Sequence, residues 1–295
     1  MEYTSSKLLH QIFTPRPAIS RKYDYGHLLI IAGSKFYPGA SGLASLAALR
    51  SGVDVVTLAA PKRAADIAAG FSPALITYSL AGDFLMERHF DEILTLLKGK
   101  NAIALGPGLG REEETLEIVR QIVKSTDLPT VIDADAIYAF GKKQDTRNKK
   151  QTIFTPHARE FKALTDIDVT ALEINAKTEV VKKTAKKLGA VILLKGPTDI
   201  ISDGTEVYLN KTGSPYMTSG GTGDVLCGMV GALAARLHAQ AIYNGQTVDL
   251  AKISYTAACA GAYLSGKAGE LAAKKYKDSL IATDVIEEIR RVIVR

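Results

Sequence analysis

The chain has 295 residues, of which 46% are hydrophobic and 23% charged. A chain of this length and composition can bury a sizeable core, which excludes a largely disordered protein. The sequence has no stretch of roughly 18 consecutive apolar residues and no basic head followed by an apolar segment at its N-terminus, so we expect neither a membrane span nor a secretion signal. The sequence therefore predicts a cytoplasmic globular protein.

The net charge is +6 and the sequence pI is about 9.1, which makes nucleic acid one candidate partner. The densest basic segment covers residues 141–150, and we interpret it as a solvated loop. The remaining positive charges are scattered, without the interleaved aromatic residues of a nucleic-acid-binding stripe. We therefore predict no nucleic-acid binding and note that a mildly positive surface attracts small anions such as nucleotides.

The two cysteines, Cys227 and Cys259, lie among small apolar residues. Two are too few for a disulfide framework or a four-ligand zinc site. We predict that both are small core residues.

Apolar segments of strand length alternate with longer segments of helical periodicity, which is typical of a mostly parallel sheet with helices on both faces. We predict one α/β domain that spans residues 1–295. The Asp203-Gly204 turn predicts a β-hairpin, which we place at the edge of the sheet. The predicted strands are His27–Ala32, Val53–Ala59, Leu75–Ser79, Asn101–Leu105, Thr130–Ile132, Thr152–Phe154, Val191–Leu194, Ile200–Ser202 and Val207–Leu209. The predicted helices are Ala40–Ser51, Phe84–Leu97, Glu112–Ser125, Leu172–Leu188, Asp224–His238, Asp249–Ala268 and Thr283–Val292.

Ligands of open α/β sheets bind at the carboxyl ends of the strands, so polar and glycine-rich turns are the candidate sites. The strongest candidate is the turn Gly220-Gly221-Thr222-Gly223, which leads into a predicted helix that starts with Asp224. Converging backbone N–H groups and the helix dipole can bind a phosphate or a developing oxyanion. A carboxylate beside that anion can take the proton of an attacking hydroxyl. The alternative is that Asp224 is only a helix N-cap.

Two further strand ends carry candidate residues. Residues 106–110 form a Gly-Pro-Gly-Leu-Gly turn, which either admits a ligand close to the backbone or simply joins a strand to a helix. His157 and Glu160 are spaced to share one helical face, so they can meet a polar ligand or, through water, a magnesium ion. The alternative for this pair is a capping box at the start of a helix.

Three other segments leave two interpretations each. Lys195, which follows a predicted strand, can neutralise phosphate charge or can be a solvated lysine. The small residues at 33–42 allow close helix packing or make room for a planar ring. We interpret Asp133 and Asp135 as a polar strand end and a helix cap rather than as paired catalytic carboxylates.

Taken in order, these segments resemble the ribokinase-like superfamily, specifically the NAD(P)HX dehydratases, also called the YjeF C-terminal family. The resemblance runs from about residue 27 to about residue 268. It rests on an ordered set of motifs: Ala-Gly-Ser-x-x-Tyr-x-Gly-Ala at 32–40, Ala-Ala-Leu-Arg-Ser-Gly at 47–52, Gly-Pro-Gly-Leu-Gly at 106–110, Asp-Ala-Asp-Ala at 133–136, Thr-Pro-His-x-x-Glu-Phe at 155–161, Leu-Lys-Gly at 194–196 and Gly-Gly-Thr-Gly-Asp-Val-Leu at 220–226.

The resemblance implies a lyase that repairs hydrated NADH and NADPH, called NADHX and NADPHX. Members of this family phosphorylate the added hydroxyl with ADP or ATP and then eliminate phosphate. The resemblance also implies magnesium as a cofactor and a role for each matching residue. By resemblance, Asp224 is the base, and the backbone amides of Gly220, Gly221, Thr222 and Gly223 stabilise the transferred phosphoryl group. The hydrated dinucleotide is contacted by Ala40, Gly108, His157 and Asp224. The nucleotide is contacted by Lys195, Gly196, Pro197, Thr198, Asp199 and Gly223, and Glu160 contacts the metal indirectly.

Two features differ from the family pattern. Asp199 stands where the family commonly has threonine, which bears on the choice between ADP and ATP. Only about 26 residues precede the first predicted strand, too few for the N-terminal epimerase domain that many relatives carry. We therefore expect epimerisation on a separate chain, and by resemblance a homotetramer.

A ribokinase-like kinase that acts on a sugar or a vitamin precursor is the alternative function.

Overall fold

The structure is a computed structural model that describes residues 2–141 and 151–294. Within these residues, ten strands form one sheet in the order β1-β10-β9-β8-β7-β6-β5-β2-β3-β4. Neighbouring strands are parallel except that β9 runs antiparallel to β8 and to β10. The strands are β1 Glu2–Tyr3, β2 His27–Ile31, β3 Val55–Pro61, β4 Ile76–Leu80, β5 Ala102–Leu105, β6 Thr130–Ile132, β7 Thr152–Phe154, β8 Val191–Leu194, β9 Asp199–Ser202 and β10 Val207–Asn210.

Helices cover both faces of the sheet, as the sequence predicts. All nine predicted strands and all seven predicted helices are present, with shifted bounds except in β6, β7 and β8, and β1, α1, α3 and α6 are additional elements. The predicted helix Phe84–Leu97 is a short 3₁₀ turn at Glu87–His89 followed by α4. The helices are α1 Ser6–Ile12, α2 Pro38–Arg50, α3 Lys62–Ala69, α4 Phe90–Leu97, α5 Glu113–Lys124, α6 Ala158–Thr165, α7 Ile174–Leu188, α8 Thr222–Tyr243, α9 Leu250–Tyr276 and α10 Ala282–Ile293.

Two predictions at the periphery have different outcomes. The hairpin β9–β10 is present, but its placement at the sheet edge is wrong because β1 pairs in parallel with β10. A two-residue strand carries no periodicity, so sequence patterning cannot reveal it. The predicted loop at residues 141–150 lies, from residue 142 onward, outside the described residues.

The central strands are buried on both faces, which explains why their sequences are continuously apolar rather than alternating. In β2, Leu28 and Ile30 face one core, whereas Leu29 and Ile31 face the other. The first core lies under α2, α8, α9 and α10, and the second lies under α4, α5, α6 and α7. This arrangement is the doubly covered α/β sheet that the sequence predicts.

Helix α8 is long and apolar enough to cross a membrane by length and composition, but 72% of its apolar window is buried inside the fold. A Cβ atom on Gly228 would lie 2.0 Å from the carbonyl oxygen of Ala44, so only glycine lets α8 approach α2 this closely. Cys227 on α8 and Cys259 on α9 are both buried, which confirms them as core residues. We conclude that α8 is a core helix.

Candidate active site

Five adjacent parallel strands, in the order β8-β7-β6-β5-β2, end at the same edge of the sheet. The segments that follow them contain the polar and glycine-rich residues singled out in the sequence. Because parallel strands point the same way, residues far apart in sequence meet at this edge. The N-terminus of α8 and Ala40 of α2 complete the site.

The turn before α8 presents backbone N–H groups. Gly221 is the N-cap residue and has a φ of +91°, which disfavours other residues. The hydroxyl of Thr222 donates to the carbonyl oxygens of Met217 (2.8 Å) and Ser219 (3.1 Å), which fixes the turn. The first amides of a helix have no carbonyl partner within the helix, and a Cβ on Gly220 would meet no atom within 4 Å. The turn is therefore open to an anion.

Asp224 lies in the first turn of α8, beside the candidate anion site. It is the third residue of α8, so the interpretation of Asp224 as the N-cap is wrong. Its side chain lines a cleft of about 640 Å³. Burial and the nearby carboxylates of Asp133, Asp135 and Glu160 raise the pKa of Asp224 from 3.8 to about 7, although Lys195 opposes this shift. A carboxylate with a pKa near neutrality is well suited to proton transfer.

Lys195 is not a solvated lysine. Its ammonium lies 2.8 Å from Oδ1 of Asp133 and 3.6 Å from Oε2 of Glu160, with 19% of the side chain exposed. Burial alone would lower the pKa of Lys195, but these two carboxylates outweigh it and raise the pKa above its usual range. Lys195 is also close to Gly223, because a Cβ atom added to that glycine would lie 3.4 Å from Nζ of Lys195. Lys195 is therefore a charged group beside the turn before α8.

Asp133 is the residue that sequence reasoning underestimated. It follows β6, its side chain is 1% exposed, and its Oδ1 atom accepts from Thr155 Oγ1 at 2.7 Å as well as from Lys195. Asp133 is the N-cap residue of the 3₁₀ helix Ala134–Phe140, as predicted, but its side chain makes no capping hydrogen bond and binds Lys195 and Thr155 instead. The available signal was an acidic residue placed directly after one buried strand, with a lysine directly after another.

His157 and Glu160 form the capping box that the sequence analysis left as the alternative. Nδ1 of His157 accepts from the backbone N–H groups of Arg159 and Glu160, and Glu160 Oε2 accepts from the His157 N–H. The other ring nitrogen, Nε2, lies 3.2 Å from Glu160 Oε1. His157 thus connects to Lys195 through Glu160, and it is not among the described residues that line the cleft.

The turn after Lys195 is held by Asp199. The N–H of Gly196 donates to Asp199 Oδ1 (3.0 Å), and Asn210 Nδ2 donates to Asp199 Oδ2 (2.9 Å). Burial raises the pKa of Asp199 to about 6, against the effect of these two hydrogen bonds. Asp199 therefore shapes the backbone of the turn, and Pro197 and Thr198 lie at its partly exposed surface.

Gly108 and Ala40 form one wall of the cleft. Gly108 has a φ of +65°, and a Cβ there would lie 2.7 Å from the Cβ of Tyr37 and 3.0 Å from that of Ala40. Ser34, which the sequence analysis did not select, lines the same wall and is fully buried with an unpartnered hydroxyl. A buried hydroxyl without a partner is costly, and a bound ligand can supply the partner. The signals in the sequence were its place in the small-residue segment 33–42 and in the motif at 32–40.

Magnesium has no protein cage among residues 2–141 and 151–294, where no group of three or more His, Cys, Asp or Glu side chains is placed to hold a metal ion. Both carboxylate oxygens of Glu160 are engaged by His157, and one also faces Lys195. Magnesium commonly binds through substrate phosphates and water with few protein ligands. The site therefore fits an ion that arrives with a nucleotide, and Glu160 does not fit as a direct ligand.

Comparison with solved structures identifies the fold. A ribokinase-like superfamily protein of Enterococcus faecalis superposes with a TM-score of 0.81 at 24% identity, covering 99% of this chain and 95% of that one. An ADP/ATP-dependent NAD(P)H-hydrate dehydratase of Bacillus subtilis, crystallised with ATP/Mg²⁺, superposes with a TM-score of 0.77 at 26% identity, covering 99% and 97%. The predicted ribokinase-like fold is confirmed.

Sequence relatives agree with the fold. A bifunctional NAD(P)H-hydrate repair enzyme Nnr of Pyrobaculum aerophilum is 43% identical over 282 residues, which cover 95% of this chain and 53% of that protein. The chain thus spans about half the length of the first relatives it matches. An ADP-dependent (S)-NAD(P)H-hydrate dehydratase of Cenarchaeum symbiosum is 35% identical over 93% of this chain and 90% of its own length. The family model described as NAD(P)H-hydrate dehydratase matches residues 28–291, and the chain therefore belongs to this family.

Proposed function

We propose that the protein dehydrates (S)-NADHX and (S)-NADPHX to NADH and NADPH, with ADP as the phosphoryl donor that yields AMP and phosphate. Family membership supports the reaction class. The observation that carries the proposal is the position of Asp224, a carboxylate with a pKa of about 7 that lines a cleft at the N-terminus of α8. Lys195 and the open amides of the turn lie beside it.

In the first step, the hydroxyl of the hydrated nicotinamide ring attacks the terminal phosphorus of the nucleotide. Asp224 accepts the hydroxyl proton, the new oxygen–phosphorus bond forms, and the bond to the leaving nucleotide breaks. The amides of Gly220, Gly221, Thr222 and Gly223 point positive partial charge at the transferred group. Because little covalent chemistry is required of the protein, positioning and charge stabilisation account for most of the expected rate enhancement.

In the second step, the phosphoester leaves as inorganic phosphate. The lone pair of the adjacent ring nitrogen displaces it, and loss of a proton from the neighbouring carbon restores the reduced ring. This elimination demands little from the protein beyond a closely fitting wall. Ala40 and Gly108, which line the cleft, are the residues we assign to the dinucleotide, and His157 is assigned to it by resemblance.

Lys195 and the turn to Asp199 are assigned to the nucleotide. The ammonium of Lys195 lies near Gly223 and offsets phosphate charge there. Gly196, Pro197 and Thr198 present backbone at the partly exposed turn, whose shape Asp199 maintains. Magnesium bound to the phosphates would neutralise charge that develops during transfer. The relative from Cenarchaeum symbiosum is named ADP-dependent, which supports ADP over ATP.

The test is a turnover assay with chemically hydrated NADH and magnesium, in the presence of ADP, ATP or no nucleotide. We expect the near-ultraviolet absorbance of reduced nicotinamide to recover with ADP, with phosphate released in step. Recovery without nucleotide, or a stable phosphoester without recovery, contradicts the proposal. The second result would favour a kinase of small hydroxylated molecules.

We propose further that the protein is a cytoplasmic homotetramer and that an NAD(P)HX epimerase acts in the same pathway. The buried, unpaired cysteines suit a reducing compartment. Light scattering coupled to size-exclusion chromatography tests the tetramer. A monomeric mass at micromolar concentration would contradict it.

A further inference from the structure

Asp133 is a buried carboxylate close to the site but outside the cleft. Its side chain is 1% exposed, which leaves almost no surface for contact with a ligand. Its Oδ1 atom accepts two hydrogen bonds, from Thr155 Oγ1 at 2.7 Å and from Lys195 Nζ at 2.8 Å. A Cβ on Gly106 would lie 1.8 Å from the carbonyl oxygen of Asp133, so the glycine lets the backbone of the two turns pack tightly. Asp133 is therefore a fixed anchor for the lysine.

Lys195 has more than one carboxylate within reach. Its ammonium pairs with Asp133 and lies 3.6 Å from Glu160, and it acts electrostatically on Asp224 as well. Paired with Asp133, the ammonium stays beside Gly223, in the turn that faces an incoming phosphate. A pairing with Asp224, the residue after Gly223, would instead neutralise the base. The carboxylate that pairs with Lys195 therefore determines whether the lysine can meet a phosphate and whether Asp224 can act as the base.

We propose that Asp133 is a positioning residue that holds the Lys195 ammonium beside Gly223 and away from Asp224, so that the lysine serves the phosphate and Asp224 remains available as the base. This inference rests on the proposed function. Thr155 donates to the same carboxylate oxygen but contributes no charge. Asp133 acts through Lys195 and through its own charge.

The electrostatic consequence has a definite sign. The charged groups around Asp224 are Asp133 and Asp135 after β6, Glu160 on α6, Lys195 after β8, and Arg111 and Glu112 at the cleft. Replacing Asp133 by asparagine removes one negative neighbour and frees one cation. Both changes favour ionised Asp224, so they lower its pKa.

The experiment measures the pH profile of kcat/KM and the nucleotide affinity of Asp133→Asn. We expect the acidic midpoint of the profile to fall by about one pH unit or more, since an opposite charge nearby lowers a carboxyl pKa by about 1–3 units. We expect the Kd for ADP, measured by calorimetry, to rise about tenfold because Lys195 is no longer anchored. An unchanged midpoint together with an unchanged Kd would overturn the proposal.

Thr155→Val is the matched control, because it removes the other hydrogen bond to Asp133 Oδ1 without changing a charge. We expect its pH midpoint to equal that of the wild type. An equal downward shift in both variants would show that packing, not charge, is responsible and would also overturn the proposal.

Two further comparisons distinguish failure of this inference from a folding defect and from failure of the proposed function. If Asp133→Asn does not fold, Asp133→Asn with Lys195→Met is compared with Lys195→Met alone. The proposal requires that Asp133→Asn not weaken ADP binding further when Lys195 is already replaced, because Asp133 then has no lysine left to position, and a further rise in Kd refutes it. If the wild type binds ADP but does not dehydrate NADHX, the proposed function fails while the calorimetric test of Asp133 still stands.

Discussion

Asp224→Asn is expected to reduce turnover strongly and, at the same time, to stabilise the protein at neutral and alkaline pH. The folded state raises the pKa of Asp224, so it binds the proton more tightly than the unfolded state does. The stability that this group contributes is therefore present below about pH 4 and is lost as the pH rises through about 7. Asparagine is uncharged throughout and does not lose it.

The size of the effect follows from the shift of the pKa of Asp224 from 3.8 to about 7, which is about three pH units. At roughly 1.4 kcal/mol per unit, the ionised carboxylate destabilises the folded state by at most about 4 kcal/mol. Because water enters the cleft and screens the charges, we expect about 1–3 kcal/mol, or a few degrees in Tm. Loss of the base should reduce turnover by about 10²-fold or more.

The assay is thermal unfolding of the wild type and of Asp224→Asn from pH 4 to pH 8, with turnover measured on the same samples. We expect the difference in Tm between variant and wild type to grow across this interval. Asp66→Asn, which removes an exposed carboxylate paired with Lys62 on α3, is the control for loss of a charge. A difference in Tm that does not change with pH, or turnover like that of the wild type, would refute the reasoning.

Four further outcomes are expected. Turnover of the wild type should rise with pH around a midpoint of about 7, as Asp224 ionises; a profile flat from pH 5 to pH 8 would contradict this. Lys195→Ala should lower the free energy of unfolding by roughly 3–5 kcal/mol in denaturant titrations, since buried Asp133 loses its cation, and a loss below about 1 kcal/mol would show that the pair is not needed. Ser34→Ala removes an unpartnered buried hydroxyl, so the free energy of unfolding should change by less than about 1 kcal/mol while the KM for NADHX rises; an unchanged KM would remove Ser34 from the site. Gly221→Ala should lower the free energy of unfolding by more than about 1–2 kcal/mol, and Gly245→Ala should lower it by less. Both glycines have a positive φ, but of the two only Gly221 would bring a Cβ atom against another side chain, at 2.5 Å from Leu43 Cδ1.

The sequence predicts the fold well where the signal is periodic and long. The core strands β6, β7 and β8 have the predicted bounds, because apolar runs of strand length end at polar or glycine residues. Helix α6 was considered only as a condition for the His157–Glu160 pair. The eight-residue helix α3 was not predicted, although it buries Ala64, Ala65 and Ala68. Short elements are decided by what they pack against rather than by their own pattern.

For the site, the sequence names the residue types and the strand ends but not their pairing. It places Lys195 and Asp133 after buried strands, yet they are 62 residues apart, and only the order β8-β7-β6 brings them within hydrogen-bond distance. The same holds for Asp224, which the sequence places after the glycine turn but whose raised pKa depends on burial and on the carboxylates of Asp133, Asp135 and Glu160.

The sequence by itself thus determines the order of the elements, the glycine turn before α8 and the set of polar residues at the strand ends, because periodicity and turn chemistry are local properties of the chain. The tertiary structure alone decides that β1 covers β10, that Lys195 is paired rather than solvated, and that His157 caps α6 instead of lining the cleft. Electrostatic energies depend on distance and burial, and both arise only when distant segments pack together.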